Sequence, residues 1–260
     1  MTVERLTKLT GRSYGTLHYW LRKQGTAFRD PWKSNSVELS SEAVEFIDGE
    51  LLGDGSLFSH SGRSASFSHT SMHYPYSHFV MEILSGYGLE LSGGIYERSG
   101  DRSFFPRYPD SKGHPAYSIQ TRSYLELLPL RRRWYPNEKK IAPADLTLTP
   151  LICRQWYLGD GHLYRGRGGL HISLCTQGFA DRHITRLVNK LNEIGFCATM
   201  QSNRTIRIWK RSIVGFIDFI GPCPPEIEGV LGYKWALPED RYPRTFRKTP
   251  MEIAIEAGGE

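Results

Sequence analysis

No stretch of this 260-residue chain approaches the roughly 20 consecutive apolar residues that a membrane-spanning helix needs, so no membrane partner is expected. Cysteine is scarce. Cys153, Cys175, Cys197 and Cys223 stand far apart with no C-x-x-C pair, which argues against a structural zinc module and reads as buried, reduced thiols. The opening residues, Met1-Thr2-Val3-Glu4-Arg5, show no positive region followed by an apolar core, so no secretory signal is expected. Lysine is also sparse, at 10 residues against 23 arginines.

What is present is a basic chain of ordinary globular composition. Its net charge is +6 and its isoelectric point near 9.1, which favours an anionic partner, most commonly nucleic acid. Arginine suits bidentate contacts with phosphate and guanine; a GC-rich genome produces the same bias.

Residues 1–25 read as a separate unit of two short helices around Gly11, with Ser13 as N-cap of the second. That arrangement resembles a helix-turn-helix, whose second helix would present Tyr14, Thr16, His18, Tyr19 and Arg22 to the major groove. A linker is expected over 26–42, where Pro31 and Ser34-Asn35-Ser36 cluster, and a C-terminal tail over 244–260.

Between them the chain repeats itself. Ser40 or Ser41 caps an apolar helix that ends in Leu52-Gly53-Asp54-Gly55, and a second such helix ends in Leu158-Gly159-Asp160-Gly161. After each come a hairpin, a helix, two more strands and a helix, expected over 123–128 in the first half and 213–220 in the second. Lys140-Ile141-Ala142-Pro143 is echoed by Lys234-Trp235-Ala236-Leu237-Pro238. A period of about 100 residues is too long for a solenoid and reads as a duplicated α/β unit, 43–142 and 143–243.

Glycine at 53 and 159 lets two helices approach backbone to backbone, which would bring Asp54 and Asp160 together. Two adjacent carboxylates repel unless a cation lies between them. Hard oxygen ligands with water-filled positions suit Mg²⁺, and such a centre beside a basic groove suits phosphodiester hydrolysis. The histidines at 60, 69, 73 and 78 fit no common zinc spacing.

These motifs resemble those of LAGLIDADG homing endonucleases. The first, Ile47-Asp48-Gly49-Glu50-Leu51-Leu52-Gly53-Asp54-Gly55, matches at Gly49, Gly53, Asp54 and Gly55. The second, Trp156-Tyr157-Leu158-Gly159-Asp160-Gly161, is similar to a W-[FY]-[LM]-x-D-G form, and Trp134–Pro143 resembles the same branch. The resemblance covers roughly residues 43–243. It implies an α+β fold of two pseudo-symmetric αββαββα repeats, whose strands form a saddle for the DNA major groove. It also implies divalent metal, Mg²⁺ or Mn²⁺, on Asp54 and Asp160 with carbonyls of Gly53 and Gly159 assisting. Ca²⁺ would substitute without supporting cleavage. Lys140 and Lys234 would stand beside the scissile phosphates.

The implied protein is a monomeric, sequence-specific endonuclease that cuts a long asymmetric site in double-stranded DNA and leaves 3′ overhangs. It would be cytoplasmic, of bacterial or phage origin, with an organellar origin as the alternative. Strand residues suited to bases and phosphates are Ser64, Ser66, Ser68, Gln120, Arg122, His171, Ser173, Gln177, Arg204 and Arg207. Two rival readings share the resemblance: a DNA-binding regulator that no longer cleaves, and an RNA maturase for a group I intron. The second motif departs from the family pattern at Gln155, where the first has Gly49, and at Arg154, which predicts an asymmetric helix interface.

Overall fold

The computed structural model describes residues 3–24, 35–60, 62–98, 115–166 and 169–237. The expected tail at 244–260 and most of the expected linker lie outside the described residues. By its internal contacts the chain divides into two units, Met1–Asn35 and Ser36–Glu260.

The first unit holds helices α1 (Val3–Thr10) and α2 (Tyr14–Lys23). Gly11 turns the chain between them at φ 66°, a left-handed conformation that glycine adopts without a Cβ penalty. Ser13 caps α2: its Oγ accepts from the Thr16 amide at 3.3 Å and lies 2.8 Å from the Thr16 hydroxyl. Tyr14 and Tyr19 are exposed. His18 and Arg22 belong to α2 by backbone alone; their side chains lie outside the described residues.

The second unit runs twice through one order of elements. The first pass is α3 (Ser41–Leu52), β1 (Gly55–Phe58), β2 (Ser66–Ser71), α4 (Tyr74–Gly86), β3 (Tyr96–Arg98), β4 (Ala116–Gln120) and α5 (Leu127–Trp134). The second is α6 (Pro150–Asp160), β5 (Gly161–Gly166), β6 (Gly169–Leu174), α7 (Asp181–Glu193), β7 (Ala198–Met200), β8 (Ile206–Trp209) and α8 (Ile213–Ile220). A short helix α9 (Glu228–Leu231) and a 3-10 turn at Gly232–Lys234 follow. Each half is thus αββαββα, with antiparallel four-stranded sheets ordered β1-β2-β4-β3 and β5-β6-β8-β7.

Local chemistry sets the ends of the motif helices. Ser40 caps α3 by accepting from the Ala43 amide at 3.1 Å. Thr149 caps α6 through the Ile152 amide at 3.3 Å, with Pro150 in the first turn, where a missing N–H costs nothing. The expected helix at 123–128 is displaced: α5 starts at Leu127 and carries Arg131–Arg133 inside it. Tyr124 is held extended by a two-way backbone pairing with Ala65, at 2.8 and 3.0 Å, and Pro129 is tolerated only near a helix start.

One continuous apolar core joins the two halves, from Phe46, Leu51, Phe67 and Trp134 to Trp156, Ile172, Leu187 and Phe216. In each sheet alternate residues face it. Leu57, Phe67 and Ile119 do so in the first, Leu163, Ile172 and Ile208 in the second. The opposite face of each sheet mixes polar residues with exposed aromatics, Phe58 in the first and Tyr164 and Trp209 in the second.

Candidate active site and nucleic-acid face

The motif helices α3 and α6 pack backbone to backbone where their glycines meet. A Cβ placed on Gly53 would stand 3.4 Å from the Gly159 Cα, and one on Gly159 only 3.2 Å from the Asp54 amide nitrogen. At Gly49 a Cβ would lie 2.7 Å from the Gln155 Cβ and 2.8 Å from the Ile152 carbonyl oxygen. Gln155 is therefore not a loose fit in a glycine's place; Gly49 opposite it supplies the room. The interface is asymmetric, with one helix bringing the side chain and the other the gap.

This packing carries Asp54 and Asp160 to one place. Asp160 is pushed up to about 7, first by burial and then by the neighbouring Asp54 carboxylate, with Glu50 adding to the rise and Lys140 and Lys234 opposing it. Asp54 is also raised by burial; His69 opposes this most, followed by Lys234 and Lys140. Lys140 and Lys234 are each pushed down to about 8 by burial, against the pull of both aspartates. The four sequence-predicted catalytic groups thus form one electrostatic cluster.

Each lysine is tethered to the end of its own half's motif helix. Lys140 Nζ donates to the Gly55 carbonyl at 2.7 Å and to that of Gly53 at 3.3 Å. Lys234 Nζ donates to the carbonyls of Leu158 at 2.5 Å, Tyr157 at 3.2 Å and Gly159 at 3.4 Å. The two predicted carbonyl donors, Gly53 and Gly159, thus face ammonium groups, and each oxygen has a second lone pair.

The donor set is two carboxylates, backbone carbonyls and solvent. Among the described residues no cluster of three or more His, Cys, Asp or Glu side chains is placed to hold a metal. Two mutually opposed, half-desolvated carboxylates fit a hard divalent cation that keeps several waters. A cleft of about 300 Å³ opens at Asp54, lined also by Thr70, Tyr76, Gly159 and Lys234.

Beneath Asp54 lies a buried group that the sequence reading did not single out. His69 Nδ1 donates to Glu50 Oε2 at 2.8 Å, and the Tyr76 hydroxyl donates to Glu50 Oε1 at 2.9 Å. All three side chains are fully buried. The sequence signals were Glu50, one of four acids in α3, and His69, one of four histidines that fit no common zinc spacing.

The basic run in α5 is absorbed internally. Arg131 pairs with Glu138. Arg133 bridges Asp48, at 2.7 and 2.9 Å, to Asp145, while Trp134 Nε1 donates to Asp48 at 2.7 Å. Arg132 alone of the three is exposed.

The predicted strand residues sort into two groups. Ser66, Ser68 and Gln120 share the face of the first sheet that turns from the core with Ser56, Thr70 and Ser118; Ser66, Ser68 and Ser118 are buried there, and Gln120 Nε2 donates to Ser66 Oγ at 3.3 Å. His171, Ser173, Gln177 and Arg207 line a groove of about 550 Å³ on the second, with His162, Tyr164, Cys175, Gln201 and Asn203. Three others are tied elsewhere. Ser64 is buried in the hairpin loop, its carbonyl accepting from Ser59 Oγ at 2.7 Å. Arg122 pairs with Glu90. Arg204, at φ 64°, donates to Asp181 at 2.9 Å and to the Phe179 carbonyl, so its guanidinium serves a turn.

Three comparisons bear on this arrangement. The sequence profile of the LAGLIDADG DNA endonuclease family matches residues 44–216. An uncharacterized protein of Methanocaldococcus jannaschii is 27% identical over 207 residues, 76% of this chain and 78% of its own. A cytochrome b mRNA maturase of Debaryomyces hansenii is 25% identical over 160 residues, 59% of this chain and 57% of its own. Among solved structures, the homing endonuclease I-WcaI bound to its DNA recognition sequence superposes with a TM-score of 0.60 at 19% identity, covering 86% of this chain and 96% of that one. That likeness is one of fold.

Proposed function

The chain belongs to the LAGLIDADG DNA endonuclease family, and on that premise we propose that it is a monomeric, sequence-specific homing endonuclease that cuts both strands of a long asymmetric DNA site, leaving short 3′ overhangs. The observation that carries this reading is the meeting of Asp54 and Asp160 at a glycine-packed helix pair, each beside a buried lysine. A regulator that had lost cleavage would have no need to keep two mutually destabilising carboxylates there.

Asp54 and Asp160 would hold divalent metal with the carbonyls of Gly53 and Gly159. Mg²⁺ or Mn²⁺ bound there supplies Lewis-acid stabilisation of phosphate charge and lowers the pKa of water. The chain's own groups do the rest. The aspartates are fixed by the ends of two packed helices, so their geometry is set before substrate arrives. Lys140 and Lys234 are pinned by helix-end carbonyls and keep cationic donors beside the phosphates, where low dielectric strengthens each contact. The polar sheet faces read base edges and phosphates. The unit at Met1–Asn35 adds contacts outside the cleavage site through α2, as a helix-turn-helix does.

The test is a cleavage selection on randomised double-stranded DNA with Mg²⁺, run beside Asp54→Asn and Asp160→Asn. The unmutated protein should enrich one long asymmetric sequence as cut product, and the variants should bind it without cutting. Specific binding without cutting by the unmutated protein would instead identify a regulator. The maturase likeness supports a second reading, RNA binding in group I intron splicing. Splicing that survives both Asn substitutions would identify that activity.

A further inference from the structure

The two sheets present equivalent positions with different chemistry. Counting two residues on from each motif aspartate, Ser56 of β1 and His162 of β5 occupy the same place. Across the strands, Ser56 pairs with Ser68, which pairs with Gln120, and His162 pairs with Ser173, which pairs with Arg207. Gln120 and Arg207 are therefore counterparts. Both lie on the polar face, in the cross-strand row next to the catalytic aspartates.

Their surroundings differ. The Gln120 amide is turned towards Ser66, its Nε2 donating to the Ser66 Oγ at 3.3 Å. Among the described residues Arg207 has no such tie. Its guanidinium lies 5.1 Å from the Trp209 ring centre, and its Nε is out of solvent with no hydrogen-bond partner. A guanidinium at this distance over an indole ring gains cation–π attraction while its Nη donors stay available. Among the described residues the groove in front of it is lined by neutral polar and aromatic groups, with no carboxylate among them. Burial and the Arg207 charge both hold His171 below the usual histidine range, so it adds no positive charge that would compete for phosphate.

Resting on the endonuclease reading above, we infer that Arg207 is a specificity-determining residue that reads one guanine in the half-site under the second repeat. An oriented guanidinium edge matches the O6 and N7 acceptors of guanine in the major groove, and no other base offers both. The equivalent position under the first repeat, facing a Gln120 amide turned towards Ser66, is read less strictly. Discrimination across the target is polarised, strict beneath β5–β8 and looser beneath β1–β4.

The experiment is the same randomised-DNA selection, carried out for binding in Ca²⁺ and for cutting in Mg²⁺, with the unmutated chain, Arg207→Gln and Arg207→Ala. Melting curves of each variant confirm folding. The unmutated chain should show one guanine in the second half-site preferred about tenfold or more over other bases. Arg207→Gln should move that preference towards adenine, and Arg207→Ala should flatten that position alone, leaving the first half-site unchanged. A uniform loss of affinity with a smaller salt slope would make Arg207 a phosphate contact and overturn the inference. So would unchanged profiles in folded variants. If the unmutated chain enriches no sequence in either assay, the endonuclease reading fails with it, an outcome distinguishable from failure of Arg207 alone.

Discussion

The burial that pushes Asp160 up to about 7 has a thermodynamic consequence for the protein without metal. Its unfolded value is 3.8, so the fold favours the protonated form, and that contribution is complete below about pH 4 and lost as pH rises through about 7. Metal-free Asp160→Asn should therefore melt with the parent at pH 4 and a few degrees above it at pH 8. Millimolar Mg²⁺ should raise the parent's melting temperature at pH 8 more than the variant's. Equal melting at both pH values would remove the electrostatic argument. Glu50 is the second informative residue. Truncating it to alanine leaves His69 Nδ1 and the Tyr76 hydroxyl without their acceptor in a fully buried place. A loss of about 3–5 kcal/mol is expected in urea unfolding, and a loss under 1 kcal/mol would mean that water replaces the carboxylate.

At the scale of elements the decisive contact is α3 against α6. Gly49→Ala must displace the Gln155 Cβ or the Ile152 carbonyl, at a cost of about 1–3 kcal/mol. Gly86→Ala, at the end of α4 with nothing within 4 Å of a new Cβ, should be neutral or stabilising by up to about 1 kcal/mol. Chemical denaturation of the pair separates the two cases. Both motif helices and the hairpin after each were legible in the sequence, because periodicity and end-capping are local signals. The start of α5 was not. It depends on the pairing of Tyr124 with Ala65, which are far apart in sequence. The fates of Arg122, Arg133 and Arg204 were hidden for the same reason: whether an arginine faces DNA or a carboxylate of its own chain is a tertiary fact. Register placed Ser66, Ser68 and Gln120 on one face, but the burial of Ser64, Ser66 and Ser68 is a tertiary fact that no local signal carries.

At the scale of the molecule, two unequal halves share one core and bring their motif aspartates to one centre, while Met1–Asn35 is a unit of its own. A chain begun at Ser36 should keep the fold and both strand cuts but bind its target about tenfold or more weakly, as a filter-binding titration would show. The inequality of the halves is built into the interface by Gly49 and Gln155 and into the sheets by Gln120 and Arg207. Yet the centre needs both halves, because each contributes one aspartate and one lysine. The most direct test is strand-resolved cleavage of a supercoiled plasmid that carries the selected target, in Mg²⁺, with Asp54→Asn, Asp160→Asn and the double variant. One shared two-acid centre predicts that the parent yields linear plasmid and that each single variant forms linear product at least about a hundredfold more slowly, with the double variant inert. Linear product at the parental rate from either single variant would contradict it.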